Sequence, residues 1–233
     1  MKSLTAYSSL SINKLNFAIL TGSLLLTSSI HAAELEITIT NATKNIYFTP
    51  LLIASHPNSQ SLFHVGTSAS EQLKSMAEGG DISGLSSLIS NAGGDVTENP
   101  ASGILDPGQS TTTTINTTHN HLSLSAMLLP TNDGFVGLDS WEIPSKAGTY
   151  TIMLNGYDAG TEANDELSSS MPNPPFITFG LGGTGVETSI HNNKVHIHPG
   201  TVGDTNQTGG QSDLSSTDHR WLNPVAIMTV TVK

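Results

Sequence analysis

The alternation of apolar and polar positions predicts a chain built mainly of β-strands. Residues 35–40 (LEITIT) alternate strictly, which is typical of a strand with one buried face. Residues 46–54 form a nearly continuous apolar run, and Pro50 within it predicts a bulge or bend in a buried strand. Further strands are predicted at residues 110–117, 122–129, 149–154, 194–198 and 225–232.

Seven or eight short strands separated by turn residues are typical of an all-β fold, here an antiparallel β-sandwich. The last segment, 225–232, is apolar enough on both faces that we expect both to be buried. Long Gly-, Asn- and Ser-rich connections occupy residues 158–193 and 199–219. Connections of that length in a compact domain are usually functional or mobile.

Two short helices are predicted between the strands, as an insertion packed against one edge or end of the sheet. Ser68 and Glu71 have the spacing of a capping box, which predicts the start of the first helix. Asp81 is expected to cap the second helix, and the glycine pairs 79–80 and 93–94 are expected to end the two helices.

The N-terminal segment has the pattern of a secretory signal peptide. Residues 15–30 are apolar or small, and cleavage is predicted near Ala32 or Ala33. The alternative is a membrane anchor, but the run is short for a span of about 20 residues and contains Thr, Ser and Gly. We therefore predict a signal peptide at 1–33, a single domain at 34–233, and a secreted or periplasmic protein without a transmembrane segment after cleavage.

Charge and cysteine content narrow the classes of partner. The predicted cleavage removes Lys2 and Lys14, so six basic residues remain against nineteen acidic ones, a formal charge of −13. Such a surface does not favour nucleic-acid phosphates and does favour divalent cations. The chain has no cysteine, which excludes thiol catalysis, iron–sulfur clusters and cysteine-ligated zinc.

Two segments place carboxylates and glycines directly after apolar strands. They are residues 130–139 (PTNDGFVGLD) and 157–166 (YDAGTEANDE). Calcium takes six to eight oxygen ligands on a flexible frame, and two such loops at one end of a sandwich could supply Asp133, Asp158 and Glu162. The alternatives are an ordinary Asn-Asp-Gly turn and a solvated acidic loop. Neither segment fits the helix–loop–helix calcium pattern.

A second candidate site is the pair His196 and His198. Residues two apart on a strand face the same side, so with His191 or His219 the pair could bind zinc in a zinc-dependent hydrolase. The alternative is a pair on an edge strand without a ligand. Motifs such as Gly-x-Ser-x-Gly, a phosphate loop and His-Glu-x-x-His are absent, so we expect no enzymatic activity. A carbohydrate-binding or adhesion module without calcium is a further alternative, although the aromatic content of 5% disfavours sugar stacking.

Several segments together resemble the bacterial branch of the spondin domain, which occurs in F-spondin and related extracellular matrix proteins. The similarity covers about residues 34–233. The segments that carry it are 49–51 (TPL), 61–66 (SLFHVG), 128–138 (LLPTNDGFVGL), 158–162 (DAGTE) and 223–226 (NPVA). The resemblance implies a β-sandwich similar to calcium-dependent membrane-binding domains, and a calcium site.

The resemblance also implies the ligands of that site. Asp133 matches the acid that precedes an aromatic-Val-Gly-Leu run, and Asp158 matches the first acid of Asp-Ala-Gly-Thr-Asp. Glu162 stands where the family more often has Asp, and its longer side chain could shift coordination to Asn164 or Asp165. Animal spondin domains carry cysteines, which this chain lacks. They also belong to multidomain proteins, an architecture that we do not expect here. The expectation is an exported calcium-binding module for extracellular or cell-envelope binding or adhesion.

Overall fold

The computed structural model describes residues 32–173, 180–182, 193–206 and 210–233. The predicted signal peptide therefore lies outside the described residues, apart from its last two positions. The described residues belong to a compact unit, His31–Lys233. Its elements are β1 Ala33–Asn41, β2 Tyr47–Phe48, β3 Leu52–His56, α1 Glu71–Gly79, α2 Ser83–Asn91, β4 Asp95–Glu98, β5 Ser110–Thr117, β6 His121–Leu129, β7 Gly134–Glu142, β8 Gly148–Asp158, a 3-10 turn Ser168–Ser170, β9 His196–Ile197 and β10 Ala226–Val232.

The strands form a ten-stranded antiparallel sheet. Eight of them follow the order β4-β3-β6-β7-β8-β10-β1-β5, while β2 pairs with β6 and β9 pairs with β8. The two ends of this path, β4 and β5, contact each other, so the sheet is nearly closed and barrel-like. This confirms the predicted all-β antiparallel fold with a short helical insertion, and the strand order shows that its layers are parts of one continuous sheet.

Strand β6 is apolar on both faces because it separates two hydrophobic cores. Its alternate residues Leu122, Leu124, Ala126 and Leu128 belong to the main core inside the sheet. Met127 and Leu129 face the other way, into a second core that includes Leu73 and Met76 of α1 and Leu85 and Ile89 of α2. The helices cover one face of the sheet: α1 packs on β6 and β7, and α2 packs on β3 and on β4, the strand at one edge of the strand order. The expected packing against an edge therefore holds for α2.

The helix ends agree with the sequence only in part. Ser70, not the predicted Ser68, is the N-cap of α1, and its Oγ accepts a hydrogen bond of 3.1 Å from the backbone N–H of Leu73. Gly80 ends that helix with φ of +73°, which a glycine adopts without strain. The N-cap of α2 is Ile82, not the predicted Asp81. The Asp81 carboxylate nevertheless accepts the N–H of Ser83, the first residue of α2, at 2.9 Å.

The strand predictions need correction at four points. Residues 134–139 were assigned to a loop but lie in β7, and β4 was not predicted. The predicted strand 194–198 reduces to the two residues of β9. Strand β10 is buried on one face only, since Met228 is fully buried while Ile227 is 37% exposed on the solvent side. No helix within the described ranges is long and apolar enough to cross a membrane.

Candidate metal centre

Two neighbouring strands bring the predicted acids together at one end of the sheet. Strand β7 begins directly after Asp133, and β8 ends at Asp158, which pairs with Gly134 in the register of the two strands. Glu162 follows four residues after Asp158, and its backbone N–H donates to Asp133 at 3.1 Å. All three acids are buried, with exposed fractions of 0% for Asp133, 2% for Asp158 and 4% for Glu162.

The Asp133 carboxylate holds the loop that follows β8. Its Oδ2 accepts the backbone N–H of Thr161 at 2.8 Å and the Thr161 hydroxyl at 3.2 Å, in addition to the Glu162 N–H. Its backbone carbonyl accepts the N–H of Ala159 at 3.2 Å. The other carboxylate oxygen, Oδ1, is buried and has no hydrogen-bond partner among the described residues. A buried carboxylate oxygen without a donor favours a cation or a proton at that position.

The surroundings of Asp133 disfavour its negative charge. Burial and, secondly, the nearby charge of Asp158 raise the pKa of Asp133 to about 6, while the hydrogen bonds from Thr161 and Glu162 oppose the rise. Two buried carboxylates in adjacent strands repel each other unless a positive charge lies near both. Near neutral pH this arrangement therefore favours a bound cation.

Asp158 is held by the start of the same loop. Its Oδ1 accepts the N–H of Gly160 at 2.7 Å, and its Oδ2 accepts the side-chain amide of Asn164 at 2.6 Å. Gly160 has φ of +72°, and a Cβ there would lie 2.6 Å from the backbone nitrogen of Lys194. The loop can turn back at this point only because residue 160 has no side chain.

In the part of the chain that the structure describes, no ion pair joins a lysine or arginine to either aspartate. Lys44 pairs with Asp218, Lys74 with Glu78, and Lys233 with Glu34 and Glu36. Among the described ion pairs, Asp158 has one partner, the Nε2 of His196 at 3.6 Å, and Asp133 has none. The end of the sheet at β7 and β8 is consequently a region of negative potential.

The chemistry of these donors fits a hard divalent cation, but their present placement does not enclose one. Three carboxylates with loop carbonyls nearby form the all-oxygen set that calcium prefers. Within the described ranges, however, no group of three or more His, Asp or Glu side chains is placed to hold a metal ion. Both oxygens of Asp158 and Oδ2 of Asp133 accept hydrogen bonds from the loop, so coordination would require the carboxylates to exchange some of these donors for the ion.

The two predicted zinc ligands have different surroundings. His198 is buried, its Nδ1 accepts the N–H of Gly200 at 2.9 Å, and its ring packs on Trp221 with centroids 4.9 Å apart. Burial lowers the pKa of His198 to about 4, so the ring is neutral at physiological pH. His196 is partly exposed and faces Asp158. Of the two possible third ligands, His219 accepts the N–H of Ser215 through Nδ1, and His191 lies outside the described residues.

Two side chains that had not been predicted as part of this site connect its loops. The Asn132 amide donates to Asp165 at 3.0 Å, which joins the two acidic segments. The Glu166 carboxylate accepts the N–H groups of Val202 and Gly203 at 2.7 and 2.8 Å and thereby anchors a segment 36 residues further along the chain. Sequence spacing gives no signal for such a contact, because nothing local distinguishes Glu166 from a solvated acid.

The comparison with known families identifies the family of the chain. A sequence model of the Spondin_N family matches residues 40–178, which is more than half of the chain. The chain belongs to the Spondin_N family. The Spondin_N match contains Asp133, Asp158 and Glu162 and ends before His196, and it confirms the resemblance found in the sequence. A search of curated proteins finds none that matches this chain.

Proposed function

We propose that this Spondin_N chain is an exported calcium-binding module without enzymatic activity, which binds a partner outside the cell or in the cell envelope. The observation that carries the calcium proposal is the burial of Asp133 beside Asp158, with one Asp133 oxygen that has no donor among the described residues. The described ion pairs of these two buried carboxylates are limited to the contact between Asp158 and the His196 ring, and a divalent cation would stabilise both.

Asp133, Asp158 and Glu162 would supply the side-chain ligands, and loop carbonyls and water would complete the shell. The ion would contribute positive charge between the β6–β7 connection and the loop after β8, and so join them. Its role is structural or regulatory, because it would fix the loops at one end of the sheet where a partner could bind.

A calcium titration of thermal stability tests the proposal. An ion at 100 times its Kd adds about 2.7 kcal/mol to the free energy of unfolding, or roughly 5–10 °C in Tm for a domain of this size. Asp133→Asn should abolish this shift. In chelator at pH 7 the same variant should be as stable as the wild type or more so, because it replaces a buried charge with a neutral amide.

Glu142→Gln is the matched control. It removes the same charge at the exposed far end of β7, about 30 Å from Asp133 along the strand, and it should leave the calcium response unchanged. The calcium proposal fails if millimolar calcium leaves the Tm of the wild type unchanged, or if both variants respond like the wild type.

The exposed surface bears on the kind of partner that the module binds. Among the described residues, the large hydrophobic side chains that are strongly exposed are all aliphatic, including Met153, Leu222 and Val202. Sugar binding by stacking uses exposed aromatic faces, so these surfaces favour a protein or envelope partner over a glycan. Partners captured from the culture medium and envelope, in calcium and in chelator, test this part of the proposal. Specific binding on a glycan array would contradict it.

A further inference from the structure

Strand β5 has a free edge in the described part of the sheet. It lies at one end of the strand order and pairs with β1. Among the described residues, no backbone hydrogen bond joins β5 to any other strand. The backbone N–H and C=O groups along such an edge are a template for a further strand.

The burial of its side chains shows which half of β5 is open. Ile115 and Thr117 on the core side are buried, but Thr111 and Thr113 on the same side are partly exposed. The residues of β1 opposite these two threonines are fully buried. The Thr117 hydroxyl lies 2.8 Å from the hydroxyl of Ser55, which ties that end of β5 to β3. The edge is therefore covered at its C-terminal end and open along its N-terminal half.

The open edge, residues 110–114 (STTTT), has none of the features with which proteins protect such edges. Charged side chains, proline, bulges and very short strands all disfavour edge-to-edge pairing. Strand β5 has eight residues, none of them charged and none of them proline, and its register with β1 is unbroken. At the other end of the strand order, β4 has four residues, of which Asp95 and Glu98 are acidic. One end of the sheet is thus protected and the other is not.

The row of side chains that reaches this edge is uncharged, which suits a second copy of the chain. Across β8, β10, β1 and β5, the row consists of Thr151, Thr229, Thr38 and Thr112. The hydroxyls of Thr38 and Thr112 lie 2.9 Å apart. Two copies of a chain with nineteen acidic and eight basic residues repel each other over most of their surface. They can approach most easily where both copies are uncharged.

The open edge is complementary to itself. Residues opposite each other in an antiparallel pair point to the same face of the sheet. A twofold axis through Thr112, the centre of the open edge, sets Thr112 opposite its own counterpart and Ser110 opposite the counterpart of Thr114. Pairing of β5 with β4 of a second copy would instead be head-to-tail and open-ended. The short, acidic β4 disfavours that arrangement.

We propose that the open edge of β5 binds the same edge of a second copy of this chain, antiparallel and with Thr112 at the twofold axis. The dimer is weak, because one short edge forms a small interface. It places two copies of the proposed calcium-binding module in one particle, which raises the avidity for a surface with repeated binding sites. The dimer goes beyond the proposed function and uses none of the proposed calcium ligands.

Sedimentation velocity of the tag-free chain at increasing concentration, in chelator, tests this inference. A concentration-dependent equilibrium between monomer and dimer is expected for the wild type. Thr112→Lys should raise the dimer Kd about tenfold or more, because it sets two like charges directly opposite each other. Thr229→Lys is the matched control, since it adds the same charge to the same row in β10, which is paired on both sides. It should change the dimer Kd less than about threefold.

Cysteine crosslinking gives a second readout. The chain has no cysteine, so a single introduced thiol can form a disulfide only between two copies. Opposite Cα atoms in an antiparallel pair are about 4.5–5.5 Å apart, within the range of about 4.4–6.8 Å that a disulfide spans. Under the thiol oxidant diamide, Thr112→Cys should form a covalent dimer and Thr229→Cys should not. This readout decides the question if Thr112→Lys does not fold.

The outcomes that overturn the inference are defined. A wild type that stays monomeric at every concentration overturns it, as does a dimer that is equally strong in Thr112→Lys. Assembly that continues beyond the dimer also overturns it, because pairing about a twofold axis closes. Equal crosslinking of Thr112→Cys and Thr229→Cys contradicts the assigned edge. Each of these results leaves the calcium proposal standing, since the shift in Tm with calcium is measured separately.

Discussion

At the scale of single residues, Asp133 and His198 are buried groups whose neutral forms the fold favours. Burial and Asp158 raise the pKa of Asp133 to about 6, and burial lowers the pKa of His198 to about 4. The two shifts have opposite consequences for stability. Native Asp133 retains its proton above the pH at which the unfolded residue loses it, so its contribution declines as pH rises. Native His198 loses its proton below the pH at which the unfolded residue does, so its contribution declines as pH falls.

The pH dependence of stability without metal should therefore change in a defined direction in Asp133→Asn. The wild-type carboxyl costs about 3 kcal/mol of stability as pH rises from about 4 to above 6. In the same window His198 adds stability of similar size, so the two contributions largely offset each other. Asp133→Asn removes the first contribution, and stability should then rise with pH by roughly 3 kcal/mol more than in the wild type.

Urea unfolding in chelator at pH 4.5, 5.5 and 7 measures this difference. Identical pH profiles of the two proteins would contradict the assignment of a raised pKa to Asp133. With saturating calcium, the loss of unfolding free energy that Asp133 causes in the wild type should disappear. The ion stabilises the ionised carboxylate at the pH where burial disfavours it.

At the scale of elements, the first residue of α1 differs from the one that the local sequence pattern predicted. Ser68 and Glu71 have capping-box spacing, but the helix begins two residues later and Ser70 makes the capping hydrogen bond. Both positions are serine, which is a preferred N-cap residue, so the sequence could not show which of the two caps the helix. The choice depends on which position brings Leu73 and Met76 into the second core.

Ser70→Ala should cost about 1 kcal/mol of unfolding free energy, the usual value of a lost N-cap. Ser68→Ala should cost less than about 0.5 kcal/mol, as expected for a surface change without a capping contact. Chemical denaturation of both variants gives the comparison. Equal losses, or a larger loss for Ser68→Ala, would place the start of the helix where the sequence pattern put it.

At the scale of the whole molecule, β10 joins parts of the chain that are distant in sequence. It lies between β1 and β8, with Leu35 opposite Val232 and Leu154 opposite Ala226. Its inward residues Met228 and Val230 belong to the main core, and its outward residues Ile227 and Thr229 lie on the solvent side. The strand therefore contributes to stability through one face.

Met228→Ala should destabilise the protein by about 2–5 kcal/mol, the range for large-to-small changes in a core. Ile227→Thr, on the opposite face of the same strand, should cost less than about 1 kcal/mol because that side chain is partly exposed and β-branched residues suit strands. Thermal or urea unfolding of the two variants measures this difference in stability. A comparable loss in both variants would indicate that the outer face of β10 is covered.

The sequence by itself determined the strands with strict alternation or continuous apolar runs, such as β1, β5 and β6, because burial of one or both faces imposes those periods directly. It also singled out Asp133, Asp158 and Glu162, which follow or flank such strands. It could not assign β7, whose Gly-Phe-Val-Gly start resembles a loop until Phe135 and Gly137 are seen to pack with Phe63 and Tyr157.

Only the tertiary structure decided how the candidate site is assembled. The burial of Asp133, the alignment of His196 with Asp158 and the packing of His198 on Trp221 all depend on strand register between distant segments. The anchoring of residues 202–203 by Glu166 depends on loop packing in the same way. Local periodicity records which face of an element is buried, but it carries no information about which partner lies opposite, and the chemistry of the site depends on that partner.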